Sequence, residues 1–283
     1  MNILSKVGVT PCGNKEFKWG ERTYVMGVLN MSPDSFSGDG LSAVDVAVSQ
    51  AERFVAEGAD IIDIGGESTR PGSKPITAAE EIRRVIPIIK RLSQNISVPL
   101  SVDTYKGEVA QEAIAAGAQM LNDIWGLKYD PRLADISARE GIPIVLMSNQ
   151  RNTECHDVVS DISLDLKRAM DAALERGVAW ENILLDPGIG FGKTLEQNLE
   201  IICRLDEFST LGRPLLVGTS RKSLIGSVLD VPPDERIEGT AATVAISIAK
   251  GADMVRVHDI REMKRVCQMS DAIIKREHSR AGA

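Results

Sequence analysis

Three polar side chains stand where an apolar run stops short. Leu100-Ser101-Val102 ends at Asp103, Met120-Leu121 ends at Asn122, and Ile183-Leu184-Leu185 ends at Asp186. Carboxylate oxygens accept hydrogen bonds from N–H groups, and an amide both donates and accepts. Two carboxylates and an amide facing one pocket suit a heterocycle with a 2-amino-pyrimidinone edge. Met147, Phe191 and Ile124 supply apolar walls for a planar ring. After Asp186 the chain turns through Pro187-Gly188-Ile189-Gly190-Phe191-Gly192-Lys193, and its glycines leave room for a flat ligand to approach the backbone. A second set is cationic: Lys222 follows Leu215-Leu216-Val217 and Gly218, Arg256 and His258 follow Met254-Val255, and Arg70 lies in a long loop. Arg256 and His258 are two residues apart, so an extended chain points them the same way, and such a set suits phosphate. Singly, these residues have plainer readings. Asp186 could cap the helix that begins near Thr194, Asp103 and Asn122 could be caps or polar plugs, and Lys222 could be a solvated surface charge.

What must position them is a repeating plan. Eight apolar runs each finish in polar or glycine-rich sequence. Besides those above they are Val25-Met26-Gly27-Val28-Leu29 before Asn30, Ile61-Ile62 before Asp63, and Ile144-Val145-Leu146-Met147 before Ser148-Asn149. Short apolar runs of this kind read as strands buried on both faces. Helical patterns separate most of them: Val44 to Glu57, Thr77 onward, Lys106 to Ala116, Arg132 to Glu140, Asp157 to Gly177, Leu195 to Phe208, Leu224 to Pro233, Ile237 to Lys250, and Ile260 to about Arg276. Thr77 with Glu80 reads as a capping box, and Pro87 should bend its helix or break a hydrogen bond. The pattern predicts an α/β fold, a (β/α)8 TIM barrel whose active site lies at the carboxyl ends of the strands. Residues 1–22 precede the first barrel strand and read as an N-terminal β-hairpin that plugs the opposite mouth.

Length and composition narrow the partners. A chain of 283 residues suffices for one barrel or for two smaller domains, and no linker divides it, which favours one domain over 1–283. A net charge of −7 argues against nucleic acid or an acidic membrane, so an anionic substrate needs a local cluster of Arg and Lys. The four cysteines form no CxxC pair, which fits a reduced, cytoplasmic setting. There is no apolar span of membrane length and no signal-peptide core.

Several stretches together carry a resemblance. They are Leu29-Asn30-Met31-Ser32-Pro33-Asp34-Ser35-Phe36-Ser37, Asp63-Ile64-Gly65-Gly66-Glu67-Ser68-Thr69-Arg70-Pro71-Gly72, Ser101-Val102-Asp103, Asn122-Asp123, Asp186 to Lys193, Ser220-Arg221-Lys222 and Arg256-Val257-His258-Asp259. In order and spacing they resemble the dihydropteroate synthases, pterin-binding enzymes of the folate pathway and targets of sulfonamides. The resemblance implies a transferase that condenses 6-hydroxymethyl-7,8-dihydropterin diphosphate with 4-aminobenzoate. It implies a pterin-binding set of Asp103, Asn122, Asp186 and Lys222, and a diphosphate set of Asn30, Arg70, Arg256 and His258 with Mg2+ near Asn30. Phe36, Thr69, Arg70, Pro71 and Ser220, beside Gly218, would form the 4-aminobenzoate site. Asp103, Asp186, Lys222, Arg256 and His258 would carry the catalysis, and a homodimer is implied. The sequence departs from the family at Ser37-Gly38-Asp39-Gly40, where Ser-Asp-Gly-Gly is more usual, and at Ser148, where His is common. A methyltetrahydrofolate–corrinoid methyltransferase would share the Asp–Asn–Asp pocket but would not need the anion set. An inactive pterin-binding scaffold would need neither Asn30 nor Arg256 and His258.

Overall fold

The computed structural model describes residues 8–31, 40–68, 73–151 and 157–281. Strands β1 (Val9–Cys12) and β2 (Lys15–Lys18) pair antiparallel as a hairpin. Eight parallel strands follow: β3 (Tyr24–Asn30), β4 (Ile61–Gly65), β5 (Leu100–Asp103), β6 (Met120–Asp123), β7 (Ile144–Met147), β8 (Ile183–Asp186), β9 (Leu216–Val217) and β10 (Met254–Val257). Their order is β8-β7-β6-β5-β4-β3-β10-β9. The circle closes between β8 and β9 through one bridge, Leu185 to Leu215, with Leu185 N–H donating to Pro214 O at 3.0 Å. Helices lie between the strands, which makes this the expected (β/α)8 barrel with an N-terminal hairpin.

Both faces of the strands are buried, and the two faces do different work. Outward side chains such as Val25, Leu29, Ile62, Ile64, Val102 and Leu121 pack with the helices in one continuous core. Inward side chains fill the lower barrel: Tyr24, Met26, Ile61, Met120, Val145, Leu184, Leu216 and Met254 form a separate cluster with Cys12, Phe17 and Trp19 of the hairpin region. The hairpin is therefore the floor of the barrel. Phe17 meets Tyr24 edge-on at 4.9 Å and stacks on Trp19 at 5.5 Å. Trp19 Nε1 donates to Thr10 Oγ1 at 2.8 Å, and Thr10 Oγ1 donates to Glu181 O at 2.5 Å, so the polar atoms of these two side chains are paired.

Helix α1 (Gly40–Ala56) starts four residues earlier than the apolar pattern indicates. In α2 (Ala78–Asn95), Thr77 accepts from Glu80 N–H, but the reciprocal half of the box is missing because Glu80 pairs with Arg83 and Arg84. A complete capping box occurs instead at Thr194 and Gln197, opening α6 (Leu195–Cys203). Pro87 does not end α2; it lies on the exposed face, where the missing N–H is tolerated. The helices α3 (Gly107–Ala115), α4 (Arg132–Glu140) and α5 (Val158–Glu175) fall where the periodicity puts them. After α6 a 3-10 segment, Leu205–Leu211, takes over from the expected continuation. Helices α7 (Ser223–Leu229), α8 (Ile237–Ala249) and α9 (Ile260–Ala281) complete the ring.

Because Phe17 is 2% exposed and far along the barrel axis from the strands' carboxyl ends, its role is stability alone. Phe17→Ala should cost about 3–5 kcal/mol of folding free energy in a urea titration. The folded variant should keep its ligand affinities, and a lost affinity at full folding would show that the floor shapes the site.

Candidate active site

The parity that turns Met26, Ile61 and Met254 into the barrel also turns in the residues two positions on. These are Asp63 and Gly65 on β4, Asp103 on β5, Asn122 on β6, Met147 on β7, Asp186 on β8 and Arg256 on β10. The upper barrel is thus polar where the lower barrel is apolar. Arg256 Nε donates to Asp63 Oδ2 at 2.7 Å, and Arg256 Nη2 donates to Asp103 Oδ2 at 2.8 Å. Asn122 Nδ2 donates to the same Asp63 oxygen at 3.0 Å. Asp63 is fully buried and sits at the hub of this set, yet sequence reasoning gave it no role. The signal was available: a carboxylate inside Ile61-Ile62-Asp63-Ile64 has no surface to reach.

Burial pushes the Asp103 carboxyl up to about 7, with Arg256 opposing the shift and Asp63 adding to it. Arg256 is raised: burial favours losing its proton, but Asp63 and Asp103 outweigh that. Asp63 Oδ1 and Asn122 Oδ1 are buried acceptors that bond to no group among the described residues. Such atoms are costly, by about 1–3 kcal/mol each, unless a donor meets them.

Asp186 and Lys222 form the other side of the pocket. Asp186 does not cap the following helix, since Thr194 does that; its Oδ1 accepts from Gly188 N–H at 2.7 Å. Burial raises its carboxyl pKa, opposed first by Lys222. Lys222 Nζ donates to Ile189 O and lies 4.5 Å from the centre of the Phe191 ring. Burial lowers this ammonium to about 8 although Asp186 pulls it back up. Two of the segment's three glycines serve another purpose than the one expected, while Gly190 borders the pocket, where a Cβ would stand 3.0 Å from Lys222 Cδ. Gly188 has φ 70°, and a Cβ there would overlap the carbonyl oxygen of Ser148. Gly192 meets the Gln150–Arg151 peptide in the same way. The close approach is made by the neighbouring loop, and Lys193 ties the two together by donating to Ser148 O, Gly188 O and Phe191 O at 2.8–3.2 Å. Ile124, Met147 and Tyr105 form an apolar cluster that Phe191 and Trp125 flank, which is the ring wall expected for the first two and Phe191.

The remaining assigned residues gather nearby. His258 Nδ1 lies 3.0 Å from Ser220 Oγ, and His258 N–H donates to that oxygen at 3.2 Å. Since Ser220 Oγ accepts from the backbone, its hydrogen is placed to go to Nδ1, which favours the tautomer protonated at Nε2. A Cβ on Gly218 would stand 3.7 Å from the Cβ of Arg256. Asn30 Oδ1 and Asp103 Oδ2 lie 3.7 and 3.6 Å from the space where a side chain on Gly65 would begin. Among the described residues no group of three or more His, Cys, Asp or Glu is arranged to hold a metal. An amide oxygen beside a polar mouth suits Mg2+ that arrives with phosphate oxygens and water. Phe36, Thr69, Arg70 and Pro71, and the reordered Gly38-Asp39, lie outside the described residues. Ser148, the other departure, turns away from the pocket: its hydroxyl donates to Asp165 on α5 at 2.7 Å.

Residues 26–258 match the model of a protein family described as pterin binding enzyme. The chain is 53% identical over 266 residues to the dihydropteroate synthase of Clostridium beijerinckii, covering 93% of this chain and 99% of that one. It superposes with a TM-score of 0.88 on the crystal structure of the Clostridium difficile dihydropteroate synthase obtained in the presence of pteroic acid. That protein is 48% identical, with 91% of this chain and 98% of that one covered. The Xanthomonas albilineans dihydropteroate synthase with 4-aminobenzoic acid gives a TM-score of 0.89 at 38% identity, covering 94% of this chain and 98% of that one.

The raised Asp103 carboxyl makes a stability prediction. The folded protein keeps that proton up to about pH 7, whereas the ordinary value is 3.8. Between these values the folded state binds more protons than the unfolded chain, so this group makes stability fall as pH rises through the window. Asp103→Asn should flatten that part of the curve in denaturant titrations at a series of pH values. An unchanged slope would assign it to another group.

Proposed function

The chain belongs to the dihydropteroate synthases of the pterin-binding enzyme family, and from that premise we propose how its own residues carry the reaction. It is a transferase that condenses 6-hydroxymethyl-7,8-dihydropterin diphosphate with 4-aminobenzoate, giving 7,8-dihydropteroate and pyrophosphate. The observation that carries this reading for the pocket is the pair of unpartnered buried acceptors, Asp63 Oδ1 and Asn122 Oδ1, on the inward face of the upper barrel that Asp186 shares. The amino and ring N–H groups of a pterin are the donors such acceptors need. Asp186 would take the 2-amino and N3 edge, with Asn122 and Asp103 along the ring. Met147, Ile124 and Phe191 would cover its faces, and Lys222 would meet a ring acceptor.

In the reaction the bond from the exocyclic carbon to the diphosphate oxygen breaks. Positive charge developing on that carbon spreads into the electron-rich pterin. The arylamine nitrogen then forms the C–N bond and loses a proton to solvent or to the departing pyrophosphate. Asp103 and Asp186 would offset the positive charge on the ring, an electrostatic contribution strengthened by the burial of both carboxylates. Arg256 would face the diphosphate with the edge of its fork that Asp63 and Asp103 do not occupy, and His258, oriented by Ser220, would donate from Nε2. Mg2+ would be held by the amide oxygen of Asn30 with phosphate oxygens and water, and when bound it neutralises charge on the leaving group. Phe36, Thr69, Arg70, Pro71 and Ser220 would form the 4-aminobenzoate site.

We also propose that the protein is a homodimer. Helices α6, α7 and α8 pack against one another and leave Leu199, Val228, Leu229 and Ile246 exposed at 42–57%. Helix α8 is apolar nearly all round, which a helix facing water on one side is not. A second copy of the same face covers these residues by two-fold symmetry. Among the described residues no helix is long and apolar enough to cross a membrane.

Pyrophosphate release in the presence of both substrates tests the reaction. Asp186→Asn should weaken pterin binding by about 1.5–3 kcal/mol, read by calorimetry. Arg256→Lys should turn over poorly because an ammonium cannot bridge two carboxylates and a phosphate as a fork does. Full activity in Arg256→Lys would remove the guanidinium from the mechanism. Ile246→Glu should shift the mass in light scattering from two chains to one, and a monomeric parent protein would sink the dimer.

A further inference from the structure

Lys193 ends the glycine-rich turn after β8, and the reaction described above gives it no part. Its ammonium carries three hydrogens and meets three carbonyls: Gly188 O at 2.8 Å, Ser148 O at 3.1 Å and Phe191 O at 3.2 Å. Carbonyl oxygens that converge on one point repel each other, and a cation among them turns that repulsion into attraction. The backbone of Lys193 is held in turn from α6. Asn198, 4% exposed, donates from Nδ2 to Thr194 O at 2.7 Å and to Lys193 O at 3.3 Å, and its Oδ1 accepts from Gly190 N–H at 2.6 Å. One end of the side chain is thus anchored to a helix while the other grips the turn and the residue that follows β7.

Two of the gripped residues lead directly to the pocket. Gly188, whose carbonyl accepts from Lys193, donates its N–H to Asp186 Oδ1 at 2.7 Å and so orients the carboxylate. Phe191 N–H donates to Gly188 O at 3.1 Å, and Phe191 O also accepts from Gln150 N–H at 3.3 Å. The Phe191 ring packs on the cluster of Tyr105, Ile124 and Met147, with its centre 4.5 Å from Lys222 Nζ and 5.1 Å from the guanidinium carbon of Arg151. Lys193 also acts on Asp186 through space. Burial raises the Asp186 carboxyl, and Lys222, the Gly188 N–H and then Lys193 and Arg256 oppose that rise.

We propose that Lys193 is a positioning residue for the pterin substrate: by binding the carbonyls of Ser148, Gly188 and Phe191 it locks the turn after β8 to the end of β7, and so fixes the Asp186 carboxylate and the Phe191 ring where the pterin meets them. The proposal rests on the reading that Asp186 and Phe191 line the pterin site. A turn with three glycines has no side chains at those positions to hold its shape. Hydrogen bonds from a charged donor are stronger than neutral ones, and three of them from one ammonium leave the turn a single arrangement that satisfies them all.

The test titrates the full chain by calorimetry with 6-hydroxymethyl-7,8-dihydropterin and, separately, with inorganic pyrophosphate and Mg2+. The variants are Lys193→Met, Lys193→Gln, Asp186→Asn and the double variant Asp186→Asn/Lys193→Met. Lys193→Met should weaken pterin binding about tenfold. It should leave pyrophosphate binding within about twofold of the parent, because Arg256 and His258 belong to β10 and the residues after it. In the Asp186→Asn background the same change should cost less than about threefold, since the carboxylate that Lys193 positions is gone. Circular dichroism reports folding, and if Lys193→Met fails to fold, Lys193→Gln decides by the same comparisons. Equal losses of pterin and pyrophosphate affinity would overturn the positioning role, and so would an undiminished loss in the Asp186→Asn background. Asp186→Asn alone separates the two ideas. If it leaves pterin affinity unchanged, the underlying reading of the pocket fails. If it weakens pterin binding while the Lys193 variants bind as tightly as the parent, the pocket stands and the role of Lys193 is wrong.

Discussion

Arg256 reaches from β10 across the barrel to Asp63 on β4 and Asp103 on β5, and the upper half of the molecule is arranged around that contact. Charges in a dry interior are tolerated only when each has a partner. Here one guanidinium serves two carboxylates, and Asn122 supplies a further donor to the more buried of them. The set is balanced but not saturated. It holds its shape without ligand and still has acceptors to offer, which is what a site needs if it is to bind a polar heterocycle without first reorganising. Burial, more than the neighbouring Asp63, pushes Asp103 toward neutrality, so its charge state depends on what else enters the pocket.

Stability and chemistry are separated along the barrel axis. The floor is built from Phe17, Trp19, Tyr24 and inward aliphatic and methionine side chains, and the polar atoms of Trp19 and Thr10 there are paired. The top gives up apolar filling for Asp63, Asp103, Asn122, Asp186 and Arg256. One strand parity produces both, since positions two residues apart along a strand share a face. The hairpin matters because a barrel mouth left open to water at the floor would lower the value of every electrostatic contact above it.

Much of this was legible in the sequence because it depends on period and on abrupt endings. Apolar runs that stop at Asp103, Asn122 and Asp186 predict strands and also where the strands deliver a side chain. The floor hairpin was legible from its turn residues. What escaped depends on side-chain partners that no local pattern reports. Asp63 lies inside its strand rather than at the end, and a rule based on strand ends passes over it. Thr77 and Glu80 have the spacing of a capping box, but arginines at the next turn take the glutamate. The glycines after Asp186 suggest space for a ligand, whereas Gly188 and Gly192 are needed because the loop after β7 presses on them. Ser148 stands where a residue of the opposite parity would face the pocket, so its departure from the family falls on the helix side.

The barrel has one weak seam. Seven of its eight strand junctions are ladders, while β8 and β9 share a single bridge, because β9 is only two residues long between Pro214 and Gly218. Asp186 ends the strand on one side of that seam, and Lys222 follows the strand on the other. Their attraction crosses the place where backbone hydrogen bonds are fewest. A ligand held by both residues would work as a staple, adding to the cohesion of the ring itself as well as filling a pocket. Binding free energy of that kind is stored in the closed form of the barrel and shifts its opening equilibrium by mass action.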